Sequence, residues 1–129
     1  MQFISTPDAP APAGHYSQGV VHGGVVYVAG QLPIDPATGA LVAPDEIEPQ
    51  AERTLRNVEA VLLAAGSRLD LVCSMTIYIT DRALWPQVNA VYSRLLGAHR
   101  PARAVIPVPE LRPGCLIEIQ AVAAVDGTA

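Results

Sequence analysis

Two charged residues stand inside otherwise apolar, strand-like runs, where an ionised side chain costs free energy unless something pairs with it. Arg103 opens the run after Pro101-Ala102, and Glu118 interrupts LIEIQAVAAV on the face opposite Ile117 and Ile119. In one reading the two form an ion pair that ties neighbouring strands together. In the other they line a pocket. An arginine fork can bind a carboxylate through two parallel hydrogen bonds, and a glutamate can position or activate a water. Spacing alone leaves both readings open. Tyr16, Gln18 and Gln31 fall at strand ends near turns, where binding residues often sit on a rigid scaffold.

Other chemistries find less support. His15, His22 and His99 have no metal-ligand spacing among themselves or with carboxylates, so structural or solvent-facing roles fit them and no metal is expected. Ser17 lacks the GxSxG elbow of a triad hydrolase. Gly23-Gly24 and Gly30 form neither GxGxxG nor a P-loop. All eight basic residues are arginine, which excludes a lysine Schiff base of the kind that pyridoxal-phosphate enzymes use. No cofactor is expected.

The elements that must position Arg103 and Glu118 follow from periodicity. Tyr16 to Val21 and Val25 to Val28 read as a hairpin around His22-Gly23-Gly24. Pro33 to Gly39 (PIDPATG) reads as a loop. From Glu46 to Ala65, apolar Ile47, Ala51, Leu55, Val58, Leu62 and Ala65 recur at three and four residues, which predicts an amphipathic helix with Asp45 as its cap and Gly66 as its stop. Val72 to Thr80 alternates, with Cys73, Met75, Ile77 and Ile79 on one face, as a half-buried strand does. Asp81 precedes a second helix, Leu84 to Leu96, which takes Pro86 in its first turn. Arg103 to Val108 and Cys115 to Val125 are strand candidates, and Pro107 and Pro109 limit the former to an edge.

The order is β-β-α-β-α-β-β, an α+β layer. The last strand is apolar on both faces, yet two helices can cover only one face of the sheet. A homo-oligomer is therefore expected. The 129 residues suit one domain, 1–129, in which 1–12 form a Pro/Ala-rich extended lead-in. Half the residues are apolar and 16% are charged, as in a globular chain. No apolar run is long enough to span a bilayer, and the N-terminus does not read as a signal peptide, so a cytoplasmic location is the default. A net charge of −4 with dispersed arginines disfavours nucleic acid as a partner. Cys73 and Cys115 lie far apart in apolar runs, as two buried thiols rather than a disulfide.

Six segments, taken in order, carry a resemblance: YSQGV (16–20), VYVAGQLPIDPATG (26–39), RNVEAVLLAAG (56–66), VNAVY (88–92), PARAV (101–105) and IEIQAVA (117–123). In order and spacing they resemble the Rid (YjgF-like) family of enamine/imine deaminases, over roughly residues 8 to 125. The resemblance implies a chorismate-mutase-like fold assembled as a homotrimer with a central β-barrel, and active sites in the clefts between subunits. It implies that Arg103 clamps the substrate carboxylate and that Glu118 holds the attacking water, with Tyr16, Asn89 and the Gly30 backbone lining the site. Three positions depart from the pattern: His15 stands where a proline is usual, Ala29 where a serine is common, and Val105 where a cysteine is often found. Ala29 and Val105, both expected at the substrate, make the pocket more apolar.

The reaction so implied hydrolyses a 2-imino acid, or its 2-aminoacrylate-like enamine tautomer, to a 2-keto acid and ammonia. One competing expectation is a non-catalytic module of the same fold that senses small carboxylates. Another is an RNA-directed role, which the acidic balance opposes.

Overall fold

The computed structural model describes residues 1–126. Six strands and two helices run in the order β1 (Gln2–Ile4), β2 (Gly19–His22), β3 (Val25–Gln31), α1 (Ile47–Ala64), β4 (Val72–Ile79), α2 (Trp85–Leu96), β5 (Ala102–Pro107) and β6 (Ile117–Ala124). The strands form one sheet in the order β1-β2-β3-β6-β4-β5. All neighbours pair antiparallel except β4 and β5, which are parallel.

Local chemistry accounts for most of these elements. The β2–β3 hairpin turns on Gly23 and Gly24, both at positive φ (60° and 76°), as the tight primed turns between twisted strands require. α1 buries Ile47, Ala51, Leu55, Val58, Val61 and Leu62 against the sheet and ends at Gly66, whose φ is +80°. Its N-cap is Glu46 rather than Asp45, and no side chain caps it. Asp45 sits at φ +63° in the approach to the helix. Asp81 accepts from the Ala83 amide and caps a short 3-10 turn (Arg82–Leu84) that leads into α2. β5 lies at the edge of the sheet, where its prolines cost no ladder bond on the outer side.

Three local expectations change. The first residues are more than a lead-in, because Gln2–Ile4 pair with Val21–Gly19 as an added edge strand. Gln18 ties the following segment down: it is buried, accepts from the Thr6 amide and donates to the carbonyls of Thr6, Ala9 and Pro10. Cys73 does not share the inner face of β4. The register jumps between Val72/Ala123 and Ser74/Val122, so Cys73 is the extra residue of a bulge and is exposed, while Val72 takes the inward place. Both thiols are free, and only Cys115 is buried.

The core lies between the helices and one face of the sheet, where Met75, Ile77, Ile79, Ile117, Ile119 and Val26 are fully buried. The other face carries no helix. On it the register aligns Phe3, Val20, Tyr27 and Val122, and Phe3 and Tyr27 are 66% and 51% exposed. Ile106 and Tyr78 extend the same surface on the far side. Gln120, Thr76 and Glu118 stand between the two apolar groups, and large exposed apolar side chains grouped on one sheet face are a usual mark of an interaction surface. Light scattering at micromolar concentration is expected to give a multiple of the chain mass, and a monomer would contradict coverage of this face by further copies.

Candidate functional site

Arg103 and Glu118 do not pair within the chain. β4 runs between β5 and β6, so their strands are not neighbours. Arg103 is in register with Met75, on the helix-covered face, whereas Glu118 is in register with Tyr78, on the open face. Two strand spacings and three residues of offset separate their Cα atoms by roughly 14 Å. The ion-pair reading therefore fails, for a reason of topology: a central strand stands between the two and alternation sends them to opposite sides.

Each residue has instead its own surroundings. The Arg103 guanidinium carbon lies 4.6 Å from the Trp85 ring centroid and 5.0 Å from that of Tyr92. Its Nη1 donates to Asn89 Oδ1 at 3.0 Å. All three partners stand on the first two turns of α2, spaced so that they face β5 together. Two aromatic faces and one hydrogen bond hold the guanidinium while leaving most of its donors free. No carboxylate among the described residues pairs with it. Arg103 and Asn89 line an open cleft of about 430 Å³ with Tyr92, His99, Arg100 and Pro101. His99 itself is engaged structurally, its Nε2 2.7 Å from the Val72 carbonyl oxygen. Val105 lies two residues on along β5, against the core.

Glu118 belongs to the opposite half. A Cβ placed on Gly30 would lie 2.8 Å from its Oε1 and 3.1 Å from its Cδ, so the carboxylate occupies space that only a glycine leaves. The β3–β6 ladder shifts register between Val28 and Gln31, which brings Gly30 into this position. Ala29 precedes it; its amide donates to the Gln18 carbonyl and its own carbonyl accepts from Gln31 Nε2. Gly30 lines a second cleft, of about 320 Å³, with Tyr16, Gln18, Gln31, Leu32 and Arg112. The Tyr16 hydroxyl accepts from the Ala13 amide and the ring is half exposed. Burial pushes the Glu118 carboxyl above its ordinary range, and no cation among the described residues offsets it.

The expected residues thus fall into two groups. Arg103, Asn89 and Val105 lie on one side of the sheet, and Tyr16, Ala29, Gly30 and Glu118 on the other. Trp85 and Tyr92, which hold the guanidinium, were not among the expected site residues, although their spacing on a helix three and four residues from Asn89 was a readable signal. Among the described residues no three His, Cys, Asp or Glu side chains gather as metal ligands would.

Burial raises the pKa of the Tyr92 hydroxyl, and Arg103 beside it acts more weakly in the opposite sense, but the hydroxyl meets no partner in good hydrogen-bond geometry among the described residues. An unmet buried donor costs about 1–3 kcal/mol. Tyr92→Phe is therefore expected to stabilise the unliganded protein by about 1 kcal/mol in urea unfolding; a loss of stability would mean that the hydroxyl has a partner in solution.

Comparison with known proteins bears on these two half-sites. The family model described as Endoribonuclease L-PSP matches residues 6–125. A RutC family protein of Pyrococcus horikoshii is 41% identical over 122 residues, covering 95% of this chain and 96% of its own. A 2-iminobutanoate/2-iminopropanoate deaminase of Salmonella typhimurium is 37% identical over 123 residues, covering 93% and 94%. Among solved structures, Escherichia coli TdcF with bound serine superposes with a TM-score of 0.91 at 35% identity, over 96% of this chain and 98% of that one.

Proposed function

The chain belongs to the endoribonuclease L-PSP family, the YjgF/Rid group, and from that membership we propose that it is a cofactor-independent hydrolase of 2-imino acids, working as a homotrimer. The observation that carries this reading is the pair of unmatched charges. Among the described residues Arg103 is a held guanidinium with no carboxylate, and Glu118 is a partly desolvated carboxylate with no cation. Their opposite faces suit a site completed between copies: Arg103 of one subunit meets Glu118 of the next across a cleft, while the open sheet faces line a central barrel.

In that cleft the Arg103 fork binds the substrate carboxylate and fixes the imine carbon beside a water held by Glu118. The imine nitrogen is protonated, which makes the carbon electrophilic. As the water oxygen bonds to that carbon, Glu118 takes one of its protons and the C=N π electrons move to nitrogen. Glu118 returns the proton to the amine, the C–N bond breaks, the hydroxyl oxygen closes to a carbonyl, and its proton passes through Glu118 to the departing ammonia. The iminium and water become a 2-keto acid and ammonium. Tyr16 and the Gly30 backbone bound one side of the substrate and Asn89 keeps Arg103 aimed. Because free imines hydrolyse unaided, positioning supplies most of the effect, and a general-base contribution of ~10²-fold suffices. Relatives named 2-iminobutanoate/2-iminopropanoate deaminase and reactive intermediate deaminase support this chemistry. A binding module that only senses small carboxylates would use Arg103 alone. RNA as a substrate lacks a basic surface: the net charge is −4 and three arginines are committed to acidic neighbours.

The test generates the imine with threonine or serine dehydratase in a weakly nucleophilic buffer and follows keto-acid formation. Acceleration is expected, with a loss of ~10²-fold or more in Glu118→Gln and loss of carboxylate binding in Arg103→Ala. No acceleration, or full activity in both variants, would overturn the assignment. The pH dependence has a definite sign. Glu118 must be ionised to take a proton, so kcat/KM falls with decreasing pH as its carboxyl protonates; burial raises that pKa in the single chain, and Arg103 of the neighbouring copy acts in the opposite sense. A profile unchanged in Glu118→Gln would remove Glu118 from the base role.

A further inference from the structure

The cleft that Gly30 and Tyr16 line is mostly apolar, with Pro10, Ala11, Ala13, Leu32 and Ile34 in its walls, and Arg112 is its one charged lining residue. The Arg112 side chain makes no ion pair or hydrogen bond among the described residues, in a chain whose acidic residues outnumber its basic ones by twelve to eight. It is presented by a turn built with care for position. The Cys115 amide donates to the Arg112 carbonyl at 2.9 Å, and Gly114 sits at φ +86° in contact with Leu41, where a Cβ would be 2.5 Å from Leu41 Cδ2. Fully buried Gln50 of α1 then clamps this turn from below. Its Nε2 donates to the Gly114 carbonyl and its Oε1 accepts from the Leu116 amide. Arg112 is thus an exposed cation on a fixed turn, at the edge of an apolar cleft and five residues before the start of the β6 segment that delivers Glu118.

We propose that Arg112 is a specificity residue that receives a second carboxylate, so that this protein prefers 2-imino acids whose side chain ends in an acid, the imines of aspartate and glutamate. The inference rests on the imine hydrolase reading above and adds the substrate class. Arg103 of one subunit takes the carboxylate next to the imine carbon. The side chain then runs along the apolar wall past Gly30, and the distal carboxylate meets the Arg112 fork of the subunit that supplies Glu118. The chemistry at the imine carbon is unchanged, since the distal carboxylate takes no part in bond making. The cleft, at about 320 Å³, is at the small end of ligand pockets and suits a chain of a few carbons. An arginine, unlike a lysine, offers the planar two-point contact that a carboxylate fills.

An amino-acid oxidase would generate the imines of glutamate and of norvaline, which have equal carbon chains and differ in the distal acid. Hydrolysis would be followed with wild-type protein and with Arg112→Gln and Arg112→Lys. The expected wild-type result is a kcat/KM at least tenfold higher for the glutamate imine, carried by KM. That ratio should collapse toward one in Arg112→Gln and recover in part in Arg112→Lys. Calorimetric binding of 2-ketoglutarate against 2-ketopentanoate should show the same preference and the same loss. Hydrolysis of the norvaline imine without preference for the glutamate imine, or a preference that survives Arg112→Gln, would overturn the role of Arg112 and leave the hydrolase reading intact. Hydrolysis of neither imine would overturn both.

Discussion

Alternation of side chains along a strand decides what this molecule can do by itself. Glu118 on β6 and Arg103 on β5 are separated by β4 and face opposite sides of the sheet, and no rotamer brings them together. A guanidinium on the helix side and a carboxylate on the open side remain unmatched within the chain. The partly desolvated Glu118 carboxylate is the costly one to leave without an opposite charge, while Arg103 is exposed and free to receive one. The unpaired charges and the apolar open face with Phe3, Tyr27 and Ile106 are two consequences of one arrangement: a sheet with helices on one face only. In the proposed assembly a second copy of the chain would answer both.

The scaffold is rigid where the half-sites need it. Buried polar residues of α1 hold loops rather than ligands. Asn57 donates to the carbonyls of Leu32 and Ile34, and Gln50 ties Ala43, Gly114 and Leu116 to the helix. These bonds fix the loops around the Tyr16 and Gly30 cleft, as satisfied buried networks do. On the other side α2 carries Trp85, Asn89 and Tyr92 as one helical face against Arg103. Both charged groups are thus held by elements whose own positions are fixed by the core.

Much of this was legible in the sequence because periodicity is a direct record of burial. The apolar spacing of α1, the alternation of β6, the glycine pair of the β2–β3 turn and the prolines of an edge strand each carry their physical reason in the residue types. What the residues did not disclose was long-range. Strand order cannot be read from periodicity, so an Arg103–Glu118 ion pair remained open until β4 was found between their strands. The bulge at Cys73 inverts the facing of a residue in a run that alternates cleanly, because one inserted residue changes side without changing composition. β1 is three residues long and lies in a Pro/Ala-rich stretch, too short for a pattern, and is held by pairing and by Gln18. Of the site, Arg103 and Glu118 stood out as charges in apolar runs, whereas the roles of Trp85, Tyr92 and Arg112 depend on contacts that form only on folding.

The central claim, that Arg103 and Glu118 of different copies form one site, can be tested by complementation. Arg103→Ala and Glu118→Gln proteins, each inactive alone, would be unfolded together and refolded as mixed oligomers, and imine hydrolysis measured. With random mixing in a closed ring, roughly a quarter of the interfaces combine an intact arginine with an intact glutamate, so about a quarter of wild-type activity should return. If the mixture stays as inactive as its parents while wild-type protein recovers after the same treatment, the two residues do not meet across subunits and the account is wrong.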